Sequence, residues 1–189
     1  DQPDSPKHEG MVPRPISPYA ASKLACEAYL LAYAKSYGME TLGLRYFNVF
    51  GPHQDPTGAY AAVIPAFVSR LLRGQAPVVY GDGEQTRDFC YIENVLHANW
   101  LAANAPAEAC QGQVVNIACN ASTSLNQILH QLQKLLKTDV KPIYRQMRLG
   151  DVKDSLADVT LARQTIGYEP QVYFEEGLNR AIDWYRENL

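Results

Sequence analysis

Residues 17–47 constrain the fold more than any other stretch of the chain. Ser17 suits a helix cap and Pro18 the first helical position, apolar and small residues recur from there to Tyr37, and Gly38 follows as a stop. About five turns of helix are expected. Residues 41–47 then read as a short strand with Leu42 and Leu44 on one face, closed by a turn-forming stretch over 48–52. A helix feeding a short buried strand is the grammar of α/β proteins, and α/β is the expected fold class.

The alternation continues. Helices are expected over 63–73, 92–104, 124–137 and 175–188, with a shorter one capped by Asp158 and ended by Gly167. Ser124 with Gln127 three residues on forms a capping box, and Leu178, Ile182 and Tyr185 give the last helix an apolar face. Strands are expected over 77–80, 87–91 and 114–117. A net charge of -3 with interspersed signs offers no basic face for nucleic acid or an anionic membrane. The longest charge-free runs are too short to cross a bilayer. Cys26, Cys90, Cys110 and Cys119 form no C-x-x-C pair, and the four histidines fall at no metal-ligand spacing, so reduced thiols, a cytoplasmic chain and no metal are expected. The opening residues 1–18, rich in Pro and charge, read as a loop that begins in mid-protein.

Tyr19 and Lys23 stand one helical turn apart on the same face. An ammonium so placed stabilises phenolate and fits the tyrosine to act as general base on a sugar hydroxyl, although an ordinary exposed helix pair has the same spacing. Around this pair the chain carries, in order, residues 17–23 (SPYAASK), 44–52 (LRYFNVFGP), 80–89 (YGDGEQTRDF), 148–151 (RLGD) and 155–158 (SLAD). In that order and spacing the runs resemble the extended short-chain dehydrogenase/reductase family, specifically its NAD-dependent UDP-sugar 4-epimerase branch. The resemblance covers nearly the whole chain.

The resemblance implies that residues 1–60 are the end of a Rossmann-type NAD-binding domain, with the catalytic helix and a sheet strand. Residues 61–189 would be mainly the nucleotide-sugar lobe, with some elements returning to the Rossmann sheet. It implies that Tyr19 is the catalytic base, that Lys23 holds the nicotinamide ribose, and that Tyr46 lies beside the nicotinamide. For the substrate it implies Asn48 at the diphosphate, Ala62 and Val63 near the nucleotide, and Val78 and Tyr80 around the uracil. Arg87 and Arg148 would converge on the pyrophosphate, where paired guanidiniums give hydrogen bonds a lysine does not reproduce. Asp151 would accept from the ribose. Ser155 stands where members restricted to unacetylated hexoses carry a bulky tyrosine, so its small side chain implies UDP-GlcNAc/UDP-GalNAc over UDP-Glc/UDP-Gal. The implied reaction is oxidation at sugar C4 by NAD, rotation of the 4-keto sugar and return of the hydride to its other face. Structural readings stand beside these: Tyr46 as a core strand residue, Asn48 and Asp151 as turn residues, and the arginines as solvated side chains.

In one respect the chain departs from that family. A dinucleotide site uses a G-x-G-x-x-G-like turn between a strand and a helix, whereas the G-x-G here, Gly81 and Gly83, matches the family's substrate-side turn. Neither Ser5 nor Ser17 matches its catalytic Ser or Thr. The expectation is the C-terminal part of an epimerase, without about 100–150 residues of cofactor domain. A UDP-glucuronate decarboxylase, a nucleotide-sugar 4,6-dehydratase and a non-enzymatic nucleotide-sugar-binding fragment remain as alternatives. The Tyr29, Tyr33, Tyr37 stripe reads as core or as a helix-pairing surface, and an unpaired edge on strand 41–47 invites self-association, so a homodimer or higher assembly is expected. The 189 residues alone are expected to give no UDP-GalNAc from UDP-GlcNAc with added NAD, and product in a chromatographic assay would overturn this.

Overall fold

Ser17 and Gly38 bound the first helix. In the computed structural model, which describes residues 6–55, 62–147 and 153–189, α1 spans Pro18–Tyr37. The Ser17 hydroxyl accepts the Ala20 N–H at 3.1 Å, and Gly38, left-handed at φ 65°, donates to the Ala34 carbonyl. The remaining helices are α2 (Val63–Leu72), α3 (Ile92–Ala103), α4 (Leu125–Leu136), α5 (Thr160–Ile166) and α6 (Phe174–Asn188). The strands are β1 (Thr41–Tyr46), β2 (Asn48–Phe50), β3 (Val78–Tyr80), β4 (Thr86–Arg87), β5 (Phe89–Tyr91), β6 (Gln111–Ile117), β7 (Thr123–Ser124), β8 (Ile143–Arg145) and β9 (Asp154–Ser155). The pairs β1/β6, β2/β5, β3/β8 and β4/β9 are parallel, and β4/β7 is antiparallel. The fold is α/β, as the sequence pattern implies.

Three local expectations change. Asn48–Phe50, read as the start of a turn, form β2 because they find a parallel partner in Phe89–Tyr91, which a local pattern does not reveal. Strands β8 and β9 carry no legible signal, the first being exposed at all three positions and the second two residues long. Asp158 is displaced by Val159 as the α5 cap, yet its Oδ1 still accepts the Thr160 N–H at 2.8 Å.

Helix α1 lies on one face of β1/β6, where a Cβ on Gly112 would stand 2.7 Å from the Leu31 Cα; a glycine permits that approach. Arg45 on β1 reaches the same helix through a two-pronged pair with Glu27, both contacts being 2.8 Å. The opposite face, with Val115 and Ile117, is buried against Val95 and Ala98 of α3 and Ala162 and Ile166 of α5. The second edge of β6 receives the N-terminal segment: the Glu9 carboxylate accepts the Asn116 N–H at 2.6 Å, and the Asn116 side chain donates to the Lys7 and Asp158 carbonyls. A second core joins α2, α4 and α6 around Phe50, Phe89, Tyr91 and Phe174. Each such large side chain contributes roughly 1.5–3 kcal/mol by leaving water.

Between the two cores lies Asp88, fully buried. Its Oδ1 accepts the Cys119 N–H at 2.8 Å and its Oδ2 the Ala157 N–H at 3.2 Å, while its backbone bonds Asn48 and Ser155. Burial pushes the carboxyl up from its ordinary value, against the opposing effect of N–H groups from Cys119, Ala157, Ala121 and Asn120. Asp88→Ala strands those donors, and a loss of at least about 2 kcal/mol in urea unfolding is expected. Because folded Asp88 takes up its proton at higher pH than the unfolded chain does, acidification through its folded pKa adds stability, complete below the ordinary 3.8. Asp88→Asn lacks that gain. Its stability deficit against the wild type is therefore expected to widen as urea titrations move from about pH 7 to about pH 4, and a constant deficit would contradict the assignment.

Candidate functional site

The strands around Asp88 also wall a cavity of about 220 Å³. Its lining comes from Asn48 on β2, Val63 and Phe67 on α2, Val78 and Tyr80 on β3, Gln85, Arg87 on β4, Phe89 on β5 and Leu125 on α4. Alternation along the chain explains one wall: Arg87 and Phe89 point into the cavity while Asp88 between them points to the interior. The turn linking β3 to β4 is pressed on α4, since a Cβ on Gly83 would lie 2.1 Å from the Asn126 Oδ1, and only a glycine at its φ of 81° leaves room. Gln85 steadies the same turn by donating its Nε2 hydrogen to the Tyr80 carbonyl. Arg87 Nη1 donates to the Thr86 carbonyl at 2.7 Å and to the Lys153 carbonyl at 3.2 Å, which ties the guanidinium between β4 and the approach to β9.

The structure brings five of the sequence candidates together, since Asn48, Val63, Val78, Tyr80 and Arg87 all line this cavity. Ser155 pairs in register with Arg87 across β4/β9. Ala62 is the cap of α2, half-buried and without a side-chain cap hydrogen bond among the described residues. Tyr19, Lys23 and Tyr46 do not line the cavity. Tyr19 and Lys23 lie on α1, with the ammonium 5.5 Å from the centre of the Tyr19 ring, and Tyr19 is 64% exposed. Tyr46 ends β1 on the other sheet face and donates its phenol hydrogen to Asn99 Oδ1 at 3.1 Å. Arg148 and Asp151 lie outside the described residues. Among the described residues no cluster of His, Cys, Asp or Glu is arranged to hold a metal, and no helix is long and apolar enough to cross a membrane.

A family model described as the NAD dependent epimerase/dehydratase family matches residues 1–118. The chain belongs to that family. Among its relatives is the UDP-glucose 4-epimerase of Mycolicibacterium smegmatis, 35% identical over 184 residues, a match spanning 97% of this chain and 58% of the relative. A solved structure of UDP-N-acetylglucosamine 4-epimerase from Methanobrevibacter ruminantium, in complex with UDP-N-acetylmuramic acid, is 41% identical with a TM-score of 0.91, over 100% of this chain and 59% of that one. The UDP-glucose 4-epimerase of Thermus thermophilus, in complex with NAD, is 31% identical with a TM-score of 0.88, over 100% of this chain and 60% of that one. The chain thus spans little more than half the length of these epimerase/dehydratase relatives.

Four lining residues of this family member escaped the sequence reading: Phe67, Gln85, Phe89 and Leu125. Phe67 stands one helical turn after Val63, a spacing that places both on one face of α2. Gln85 and Phe89 lie within the 80–89 run, Phe89 at the two-residue period from Arg87. Leu125 had no such signal. It opens α4 and meets the cavity through the backbone bond from its N–H to the Gln85 carbonyl at 3.3 Å.

Proposed function

We propose that these residues form the catalytic helix and substrate-binding part of an NAD-dependent enzyme that epimerises a UDP-hexose at C4. The observation that carries this reading is the convergence of Asn48, Val63, Val78, Tyr80 and Arg87, drawn from the sequence motifs, α2 and β3, on one cavity. Phe67, Phe89, Val78 and Leu125 offer apolar walls to a planar base. The Arg87 guanidinium and the positive end of the α2 dipole after Ala62 favour a diphosphate by charge. Asn48 adds an amide there, and Arg148 and Asp151 are assigned by their motif to the pyrophosphate and the ribose. Ser155, beside Arg87, leaves volume for an acetamido group, which favours UDP-GlcNAc/UDP-GalNAc. The similarity to a UDP-N-acetylglucosamine 4-epimerase supports the same choice.

Tyr19 takes the proton from the C4 hydroxyl and returns it, and Lys23, close over its ring, favours the phenolate and donates to the nicotinamide ribose. A phenol and an ammonium exposed one turn apart fit that cofactor, and Tyr46 is assigned to its nicotinamide by its motif. NAD, when bound, would accept the hydride from C4 and give it back. In this reading residues 1–60 complete the Rossmann part and 61–189 mainly form the substrate lobe, with β6 returning to pair β1. Free cysteines at all four positions fit a cytoplasmic protein, and exposed Tyr29, Tyr33 and Tyr37 on α1 fit a homodimer built on that helix.

Calorimetric titration tests the binding half: UDP is expected to bind the chain, and Arg87→Ala to weaken it at least about tenfold. Unchanged affinity in that variant would sink the diphosphate assignment. In the enzyme that carries these residues with a cofactor-binding half, Tyr19→Phe is expected to lower turnover at least about 100-fold while leaving UDP affinity intact.

A further inference from the structure

Gln85 is 4% exposed and lines the cavity, yet its two amide ends are treated unequally. The Nε2 end donates to the Tyr80 carbonyl. The Oε1 end has no hydrogen-bond partner. The orientation follows from chemistry, because a carbonyl oxygen such as that of Tyr80 is satisfied only by the N–H side of the amide. A buried acceptor without a donor is costly, and such groups in native proteins call for an explanation. Of the other lining side chains, Val63, Phe67, Val78, Phe89 and Leu125 have no donors, whereas Tyr80 and Arg87 do. Asn48 donates one Nδ2 hydrogen to the Asp88 carbonyl at 3.3 Å, and its second is assigned to the diphosphate.

We propose that Gln85 is a specificity-determining residue whose Oε1 accepts a hydrogen bond from the nucleoside part of the ligand. This rests on the nucleotide-sugar reading of the cavity. The diphosphate does not supply the donor, since its oxygens are themselves acceptors and meet Arg87 and the start of α2 instead. Two groups on a uridine nucleotide do: the imide N–H of the base and the ribose hydroxyls. Both present the same chemistry, an O–H or N–H aimed at a carbonyl oxygen. Side chains lining binding sites commonly re-orient as ligands enter.

The test measures the affinity of the chain for UDP, CDP, 2′-deoxy-UDP and 3′-deoxy-UDP, in the wild type and in Gln85→Met and Gln85→Glu. Cytosine carries an acceptor in place of the imide N–H, and each deoxy nucleotide lacks one hydroxyl. The wild type is expected to prefer UDP about tenfold over the analogue that lacks the donor being read. Gln85→Met, of similar length but without the oxygen, is expected to bring that ratio close to one. Gln85→Glu keeps an acceptor oxygen and is expected to keep the ratio, which holds even if the Met variant folds poorly by thermal melting. Equal weakening for all four nucleotides, the mark of a purely structural role, or an unmoved ratio in Gln85→Met would overturn the assignment while leaving the cavity a UDP site. Absence of UDP binding by the wild type would overturn both.

Discussion

Asp88 collects N–H groups from Cys119, Asn120, Ala121 and Ala157 on its carboxylate, and its backbone holds Asn48 and Ser155. The end of β6, the start of β2 and the segment after β9 therefore meet at one fully buried residue. A buried carboxylate is tolerable only when its lone pairs are met, and here backbone donors do so. The functional consequence follows from strand alternation. With Asp88 fixed inward, Arg87 and Phe89 turn outward into the cavity, and Asn48 and Ser155 are set on either side of it. The site's geometry thus depends on a residue that takes no part in its lining.

A buried amide works in the same way at greater distance from the cavity. Asn94 on α3 accepts the N–H groups of Gln171 and Val172 on its Oδ1 and donates its Nδ2 to the Val172 carbonyl at 2.6 Å, which pins the chain between α5 and α6. Tyr168 and Tyr185, both without solvent contact, place their hydroxyls on the carbonyls of Ala118 and Gly51. Each of these three buried polar tips is matched to a backbone group. Helix α1 contrasts with this, because none of its residues is buried and Tyr29, Tyr33 and Tyr37 stand in solvent, with the last two rings 5.5 Å apart. The helix that carries Tyr19 and Lys23 is consequently the least enclosed of the fold, and β1 beneath it pairs on one edge only among the described residues.

The helices were legible because their signals are local. Ser17, Gly38, the Ser124–Gln127 box and Gly167 each act on hydrogen bonds spanning three to five residues, and the observed ends fall within a residue or two of the expected ones. Short parallel strands are different. Asn48 pairs with Phe89 and Thr86 with Asp154, and no local pattern announces a partner at such separation. Part of the candidate site was legible too, through motifs whose residues the fold places on one cavity; Gln85 was within a motif but unremarked, since an unsatisfied oxygen exists only once its surroundings are packed.

By itself the sequence determined the α/β class, the helices and the family, because capping chemistry, hydrophobic period and ordered motifs are written in neighbouring residues. Only the tertiary structure decided that Asp88 is the buried junction, that Leu125 and Phe67 complete the cavity, and that Tyr19 and Lys23 stand apart from its lining. Those outcomes depend on contacts between segments distant in the chain, and such contacts are set by how the two cores close rather than by any one segment's own preference.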